Sequence, residues 1–203
     1  MIGEIHRSSE YSQEMILRSI MILHNNGDRF QLDPCFNKGT MYGSLMHPIL
    51  KFDIKPIVQG VQKGDFKKID LIDDTVHSIV ADPPFIIGDD EIMSPKYGSY
   101  ESLAILQSEI NGLLVECTRI IKRDGLLVIK CQDIIHDRRK YFVSYFIQNQ
   151  LFDLGWNQID EYVKVNKSRP HNSSNQVSYA SRSYHSKFLV FRFRRGRRKY
   201  RIS

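Results

Sequence analysis

Asp82-Pro83-Pro84-Phe85 sets an acid, two prolines and an aromatic ring directly after an apolar run at residues 76–80. The run predicts a buried strand of a parallel sheet, with the acid where the strand stops. Open α/β sheets bind ligands just outside the carboxyl ends of their strands, so Asp82 stands at a natural address for chemistry. The prolines make a stiff, extended turn that cannot fold back into helix, and they hold carboxylate and ring in a fixed relation. Taken alone, a strand, a Pro-Pro stop and a core Phe explain the same residues as well.

Three earlier acids form an ordered set with it. Asp33 closes a short strand at 29–33 and leads into Pro34-Cys35-Phe36-Asn37-Lys38-Gly39-Thr40, a turn whose backbone N–H groups can meet a ligand. Asp53 follows about twenty residues later, where an α/β nucleotide fold sets an acid on a ribose hydroxyl pair. Asp65, in Gly64-Asp65-Phe66, can accept from an adenine amino group. Each of the three serves equally well as a turn residue or helix cap. Their order and spacing carry more weight than any one of them.

The elements that must position these acids are legible in outline. A helix is predicted over 10–24, with Met15, Ile16, Ile20 and Leu23 as its apolar stripe and Asn25-Asn26-Gly27 as its stop. A short helix at 41–46, a strand at 49–54 and a loop holding Gly60, Gly64 and Asp65 lead to the strand before Asp82. Past a polar loop at 88–100, a helix over 99–121 presents Leu103, Leu106, Ile110, Leu113, Cys117 and Ile120 on one face. Lys122-Arg123-Asp124-Gly125 turns the chain into a strand at 126–129, which ends in Lys130-Cys131-Gln132-Asp133. A helix over 138–154 follows, its stripe formed by Tyr141, Phe142, Tyr145, Phe146 and Phe152, with Gly155 just past its end. Residues 156–165 and 186–193 alternate as strands around a Ser/Asn/Arg-rich loop at 166–184. The expectation is one domain over 1–193, a mostly parallel sheet between helices with an antiparallel last strand, and a basic tail at 194–203.

Composition bounds the function. The 203 residues are 41% hydrophobic and 26% charged, ordinary globular usage. No apolar run approaches the roughly 20 residues of a membrane span, and no membrane partner is expected. Cys35, Cys117 and Cys131 lie far apart and the seven histidines form no metal-spaced pair, so neither a disulfide frame nor a metal site is expected. The net charge of +6 hides an asymmetry. Of 29 Lys and Arg, 12 lie beyond Glu161, and none of the 23 acids does, which leaves residues 1–161 at −6. Such a split points to a polyanionic partner met by the C-terminal part.

The ordered set resembles the S-adenosylmethionine-dependent amino-methyltransferases of DNA. Leu32-Asp33-Pro34-Cys35-Phe36-Asn37-Lys38-Gly39-Thr40 is similar to their cofactor loop, Asp53 to their ribose acid and Asp65 to their adenine contact. Asp82-Pro83-Pro84-Phe85 is similar to their catalytic tetrapeptide. The segment 125–133, with its Lys-Cys-Gln-Asp end, and His185-Ser186 before the last strand resemble a compact phage and bacterial adenine-methylase group. Asn37 stands where the family usually has its first loop glycine, and asparagine tolerates left-handed backbone angles. Phe85 stands where tyrosine is commoner; stacking needs only the ring.

The resemblance implies a Rossmann-like methyltransferase fold with a mostly parallel seven-stranded sheet, and S-adenosylmethionine as cofactor. Asp33, Cys35, Phe36, Lys38, Gly39, Asp53, Asp65, Phe66 and Asp82 would hold that cofactor. The Asp82 carboxylate and the Pro83 carbonyl would accept the two N–H bonds of an adenine amino group. Pro84 completes the stiff turn and Phe85 would stack on the flipped base. Lys130, Gln132, Asp133 and His185 at the rim, with Lys167, Arg169, His171 and Arg182 in the late loop, would contact nucleic acid. DNA is the expected partner. An RNA adenine methyltransferase, and a catalytically weakened nucleic-acid-binding relative acting as a partner subunit, are the alternatives. A partner protein subunit or a homodimer is the further expectation for its partners. A cytoplasmic setting in a prokaryotic or phage-infected cell is implied.

Overall fold

The computed structural model describes residues 6–88, 98–166 and 185–194. Six residues, apolar or small except for the exposed His77, make β5 (Val76–Ala81) the centre of an eight-stranded sheet. The other strands are β1 (Ser9–Glu10), β2 (Leu32–Asp33), β3 (Leu50–Asp53), β4 (Gln62–Lys63), β6 (Ile121–Cys131), β9 (Trp156–Lys164) and β10 (Ser186–Phe193). Their order across the sheet is β1-β9-β10-β6-β5-β2-β3-β4. β10 runs antiparallel to both neighbours, and every other pairing in this sheet is parallel. Six of these strands lie where the sequence placed strands; β4 falls in the segment expected to be a loop and β1 adds an edge strand, so the sheet has eight strands where the resemblance implied seven.

Alternation along the central strands sorts the core into two layers. Val80, Leu126, Val128, Phe188 and Val190 pack with Ile16, Leu17, Ile20 and Met21 of helix α1 (Gln13–His24). Ile79, Ala81, Leu127, Ile129, Leu189 and Phe191 pack on the other face with helices α2 (Leu103–Ile120) and α3 (Val143–Asp153). The stripe expected on α1 is rotated: Met15 and Leu23 are 42% and 48% exposed. Residues 15–17 and 20–23 are apolar nearly all round the helix, so the pattern allowed two faces and packing chose between them. On α2 the expected face is buried except for half-exposed Leu103, and Leu114 joins it.

Three further segments depart from expectation. The short helix expected at 41–46 is a single 3-10 turn, Thr40–Tyr42. The residues that were to begin the helix at 138 instead form a hairpin of β7 (Ile134–His136) and β8 (Arg139–Tyr141). Its two turn residues, Asp137 and Arg138, have φ of 48° and 62°, the left-handed pair that lets a two-residue loop match strand twist. α3 begins only at Val143 and buries Val143, Ser144, Ile147 and Leu151, while Phe142, Tyr145 and Phe152 are exposed. The aromatic stripe is therefore not the core face. The expected turn at 122–125 survives as a bulge within β6, where the register jumps from Val76↔Ile121 to Ser78↔Leu126.

Candidate active site

Strand β2 lies between β3 and β5, so the sheet order reverses beside it. A crevice at such a switch point, at the carboxyl ends of the strands, is where a doubly wound sheet takes its ligand. Asp33 ends β2, Asp53 ends β3, and Asp82 follows the last residue of β5. Three acids widely separated in sequence thereby share one rim.

Asp33 is fully buried. Its carboxylate accepts from the Tyr42 hydroxyl at 2.6 Å and from the Cys35 N–H at 2.8 Å. Burial pushes its pKa up to about 7; the two hydrogen bonds oppose this, and the Asp82 and Asp53 charges add to it. Its bonds hold the turn after β2, and the Tyr42 partner was not legible from spacing. Asp53 supports the same turn: Oδ2 accepts from the Asn37 N–H and Oδ1 from the Lys55 N–H, each at 2.8 Å. Asn37 takes φ 48°, the left-handed angle expected of a residue in the glycine position.

The cofactor-loop residues divide. Lys38 is exposed and Cys35 half-buried, with burial raising the Cys35 thiol well above its ordinary value. Phe36 is buried, stacked on Tyr42 at 5.9 Å between ring centroids. Its ring packs against Gly39, at φ 67°, where an added Cβ would collide with it. Glycine is thus required at 39 by the protein's own Phe36. Asp65 is 42% exposed at its side chain and caps a tight turn, accepting from the Lys67 N–H at 2.9 Å, with Lys67 Nζ 3.7 Å away. Phe66 packs at the edge of the core.

After β5, Pro83 is buried and Pro84 and Phe85 are half-buried, Phe85 resting on the core beside Ile87 and Tyr100. Gly88 N–H donates to the Tyr100 carbonyl and Tyr100 N–H to the Ile86 carbonyl, both at 2.8 Å. These bonds clasp the two ends of the polar loop at 88–100; residues 89–97 themselves lie outside the described residues.

Parity on the neighbouring strands places a cation against Asp82. Val80 and Val128 face α1, so Asp82 and Lys130, two residues on, face the same side. Lys130 Nζ donates to Asp82 Oδ2 at 2.6 Å, with both side chains less than a third exposed. Gln132 is half-buried on the same segment. Asp133, expected at the substrate rim, is buried for another purpose: its Oδ1 accepts from Ser144 N–H at 3.1 Å and Oγ at 2.8 Å, capping α3. Lys187 lies 3.8 Å from its Oδ2. His185 is exposed and its Nδ1 accepts from the Asn166 N–H at 3.2 Å. Lys167, Arg169, His171 and Arg182 lie outside the described residues, as does most of the basic tail. Lys164, the last residue of β9, was not singled out in sequence; its place at the end of an alternating strand was the available signal.

An open depression of about 410 Å³, lined by Arg29, Met46, His47, Ile49 and Lys51 among others, opens ahead of β2 and β3. It contains none of the acids, so the chemistry is assigned to the carboxyl rim rather than to this hollow. Among the described residues no His, Cys, Asp or Glu cluster could hold a metal ion, and no helix is long and apolar enough to cross a membrane.

No family model matches the sequence, and no curated protein matches it. Solved structures do. A candidate sarcosine dimethylglycine methyltransferase from Galdieria sulphuraria aligns over 89% of this chain and 85% of its own, with TM-score 0.56 and 13% identity. TrmN from Thermus thermophilus aligns over 89% of this chain and 48% of its own, with TM-score 0.50 and 11% identity. A candidate DNA modification methylase from Thermus thermophilus, complexed with S-adenosyl-L-methionine, aligns over 68% of this chain with TM-score 0.47 and 20% identity. This chain covers 56% of that methylase, a little over half its length. At these identities the likeness defines the fold, and the chain has the Rossmann-like α/β methyltransferase fold.

Proposed function

We propose that this chain is an S-adenosylmethionine-dependent methyltransferase acting on the exocyclic amino group of adenine in DNA. One observation carries the reading: Asp53, Asp33 and Asp82 end adjacent strands at the switch point, and Asp82 opens the stiff Pro83-Pro84-Phe85 turn. The fold is compatible with many substrates, so the substrate class rests on this turn and on the charge split of the sequence.

The residues present fit the cofactor. Each oxygen of Asp53 accepts one N–H from the protein, which leaves each a second lone pair for a ribose hydroxyl. Three carboxylates on one rim favour a ligand that is cationic at its sulfonium and its ammonium. When bound, S-adenosylmethionine supplies an electrophilic methyl group.

The adenine amino nitrogen is a poor nucleophile because its lone pair is delocalised into the ring. Lys130 occupies Asp82 Oδ2, and among the described residues Oδ1 accepts no bond, so Oδ1 and the Pro83 carbonyl form the acceptor pair for the amino N–H groups. Accepting both N–H bonds favours a pyramidal nitrogen whose lone pair faces the methyl group; the methylated nitrogen would be positively charged, and its surplus proton would leave along the hydrogen bond to Asp82 Oδ1. Phe85 would stack on the base. The acceleration then comes from positioning and electrostatics, with no covalent enzyme intermediate.

Incubation with the cofactor and mixed DNA and RNA, followed by nucleoside mass spectrometry, tests the reading. N6-methyladenine in DNA is expected. Its appearance in RNA alone would move the assignment to the RNA alternative, and absence of any methylated nucleoside would remove the activity.

A further inference from the structure

We propose that Lys130 and Lys164 hold a phosphate of the substrate nucleotide, with Lys130 bridging that phosphate to the Asp82 carboxylate. The inference rests on the nucleic-acid methylation reading and names a subsite within it.

Carboxylates of the rim stand on β3, β2 and β5, and on the other side of Asp82 the same face of the sheet carries Lys130 and Lys164, with Glu10 of β1 opposite Lys164 in register but in no ion pair with it among the described residues. Register shows this directly. Lys130 pairs with Phe188 and Lys164 pairs with Ser186, both on β10, and directly opposed residues share a face. Phe188 belongs to the α1 layer, so Ser186, Lys130 and Lys164 point to that side, as Asp82 does. β6 and β9 flank β10, so their backbones are about 10 Å apart, and two long side chains can converge above Ser186.

The two ammonium groups are incompletely matched. Lys130 has three N–H donors and spends one on Asp82. Lys164 Nζ donates to the neutral Asn166 Oδ1 at 2.6 Å and makes no ion pair among the described residues. Burial and the nearby Lys130 charge both lower the pKa of Lys164, the signature of a cation that an anion would relieve. Lys187 offers the contrast. It lies on the opposite face and is already matched by Ser144 at 3.2 Å, Asp133 at 3.8 Å and Glu161 at 4.0 Å. A phosphate between Lys130 and Lys164 would sit one ammonium away from the carboxylate that takes the base. That spacing suits base and phosphate of a single flipped nucleotide.

The test is binding of mixed-sequence duplex DNA by the full chain across a salt series, with cofactor affinity and thermal unfolding measured alongside. Lys164→Met is expected to weaken DNA binding about tenfold at low salt and to reduce the salt slope by about one. Cofactor affinity stays unchanged. Lys130→Met loses the same increment and Lys130→Arg restores it, whereas Lys187→Met leaves the slope alone. An unchanged slope in Lys164→Met overturns the subsite, and so does an equal fall in Lys187→Met, which would mean a diffuse field. Failure of the wild-type chain to bind DNA or RNA overturns it too. Should Lys130→Met fail to fold, Lys164→Met still decides. Methyl transfer by a wild type whose slope ignores Lys164 keeps the activity and removes the subsite. A wild type with the Lys164-dependent slope and no methyl transfer does the converse.

Discussion

Asp33→Asn is the most informative single substitution, because it removes a charge from the fully buried end of β2 while keeping its shape. The oxygen of the introduced amide would still accept the Cys35 N–H, and its NH2 group would face the Tyr42 oxygen. In the wild type the native pKa of Asp33 is about 7, against an ordinary 3.8. The native state therefore holds its proton where the unfolded chain has released it, and stability falls as pH climbs through that window. The benefit of the protonated form is full below 3.8 and gone above about 7. Roughly three pH units at about 1.4 kcal/mol each make about 4 kcal/mol in all, of which about 3 kcal/mol falls between pH ~5 and pH ~8. Urea unfolding of both proteins at these two pH values is the assay. The wild type is expected to lose about 3 kcal/mol relative to Asp33→Asn on going from the lower to the higher pH. Any constant offset from the altered Tyr42 bond cancels in that comparison. A difference between the proteins that does not move with pH would refute the buried, late-ionising carboxyl.

Other substitutions test the remaining parts. Asp82→Ala is expected to abolish methyl transfer while weakening cofactor binding only partly; normal turnover in that variant would remove the catalytic assignment. Asp133→Ala uncaps α3 and removes one of the two carboxylates beside Lys187, and should lower stability by about 2 kcal/mol in chemical denaturation. An Asp133→Ala variant as stable as the wild type would return Asp133 to the substrate rim. Gly39→Ala forces a Cβ into the Phe36 ring at a left-handed φ and should cost about 2 kcal/mol or more in thermal unfolding. A stable Gly39→Ala protein with lost cofactor binding would instead make the glycine a ligand contact.

Local pattern made part of this site readable. Val76, Ile79 and Val80 give residues 76–80 the short apolar run of a buried strand, and the following Pro83 and Pro84 leave the chain no regular structure to enter. Asp33 and Asp53 could be set at strand ends for similar reasons. Asp133 and Phe36 could not be assigned, because a carboxylate that caps a helix eleven residues later and a ring that fills the space above a glycine look, in sequence, like ligands. The hairpin at 134–141 was hidden because Asp137 and Arg138 lack the Gly or Asn that usually marks a left-handed turn, while the aromatics behind them kept helical spacing.

What the chain alone determined about Asp82-Pro83-Pro84-Phe85 was an acid held stiffly at the end of a buried strand. Only the tertiary structure decided what stands beside it. Parallel pairing of Ala81 with Ile129 brings Lys130 across 48 residues of sequence to within 2.6 Å of the Asp82 carboxylate. The same sheet order sets β2 and β3 on the other side, so that Asp33 and Asp53 face the same rim. Strand order and register are set by which faces bury together, a property of all the strands at once, and no single stretch encodes it.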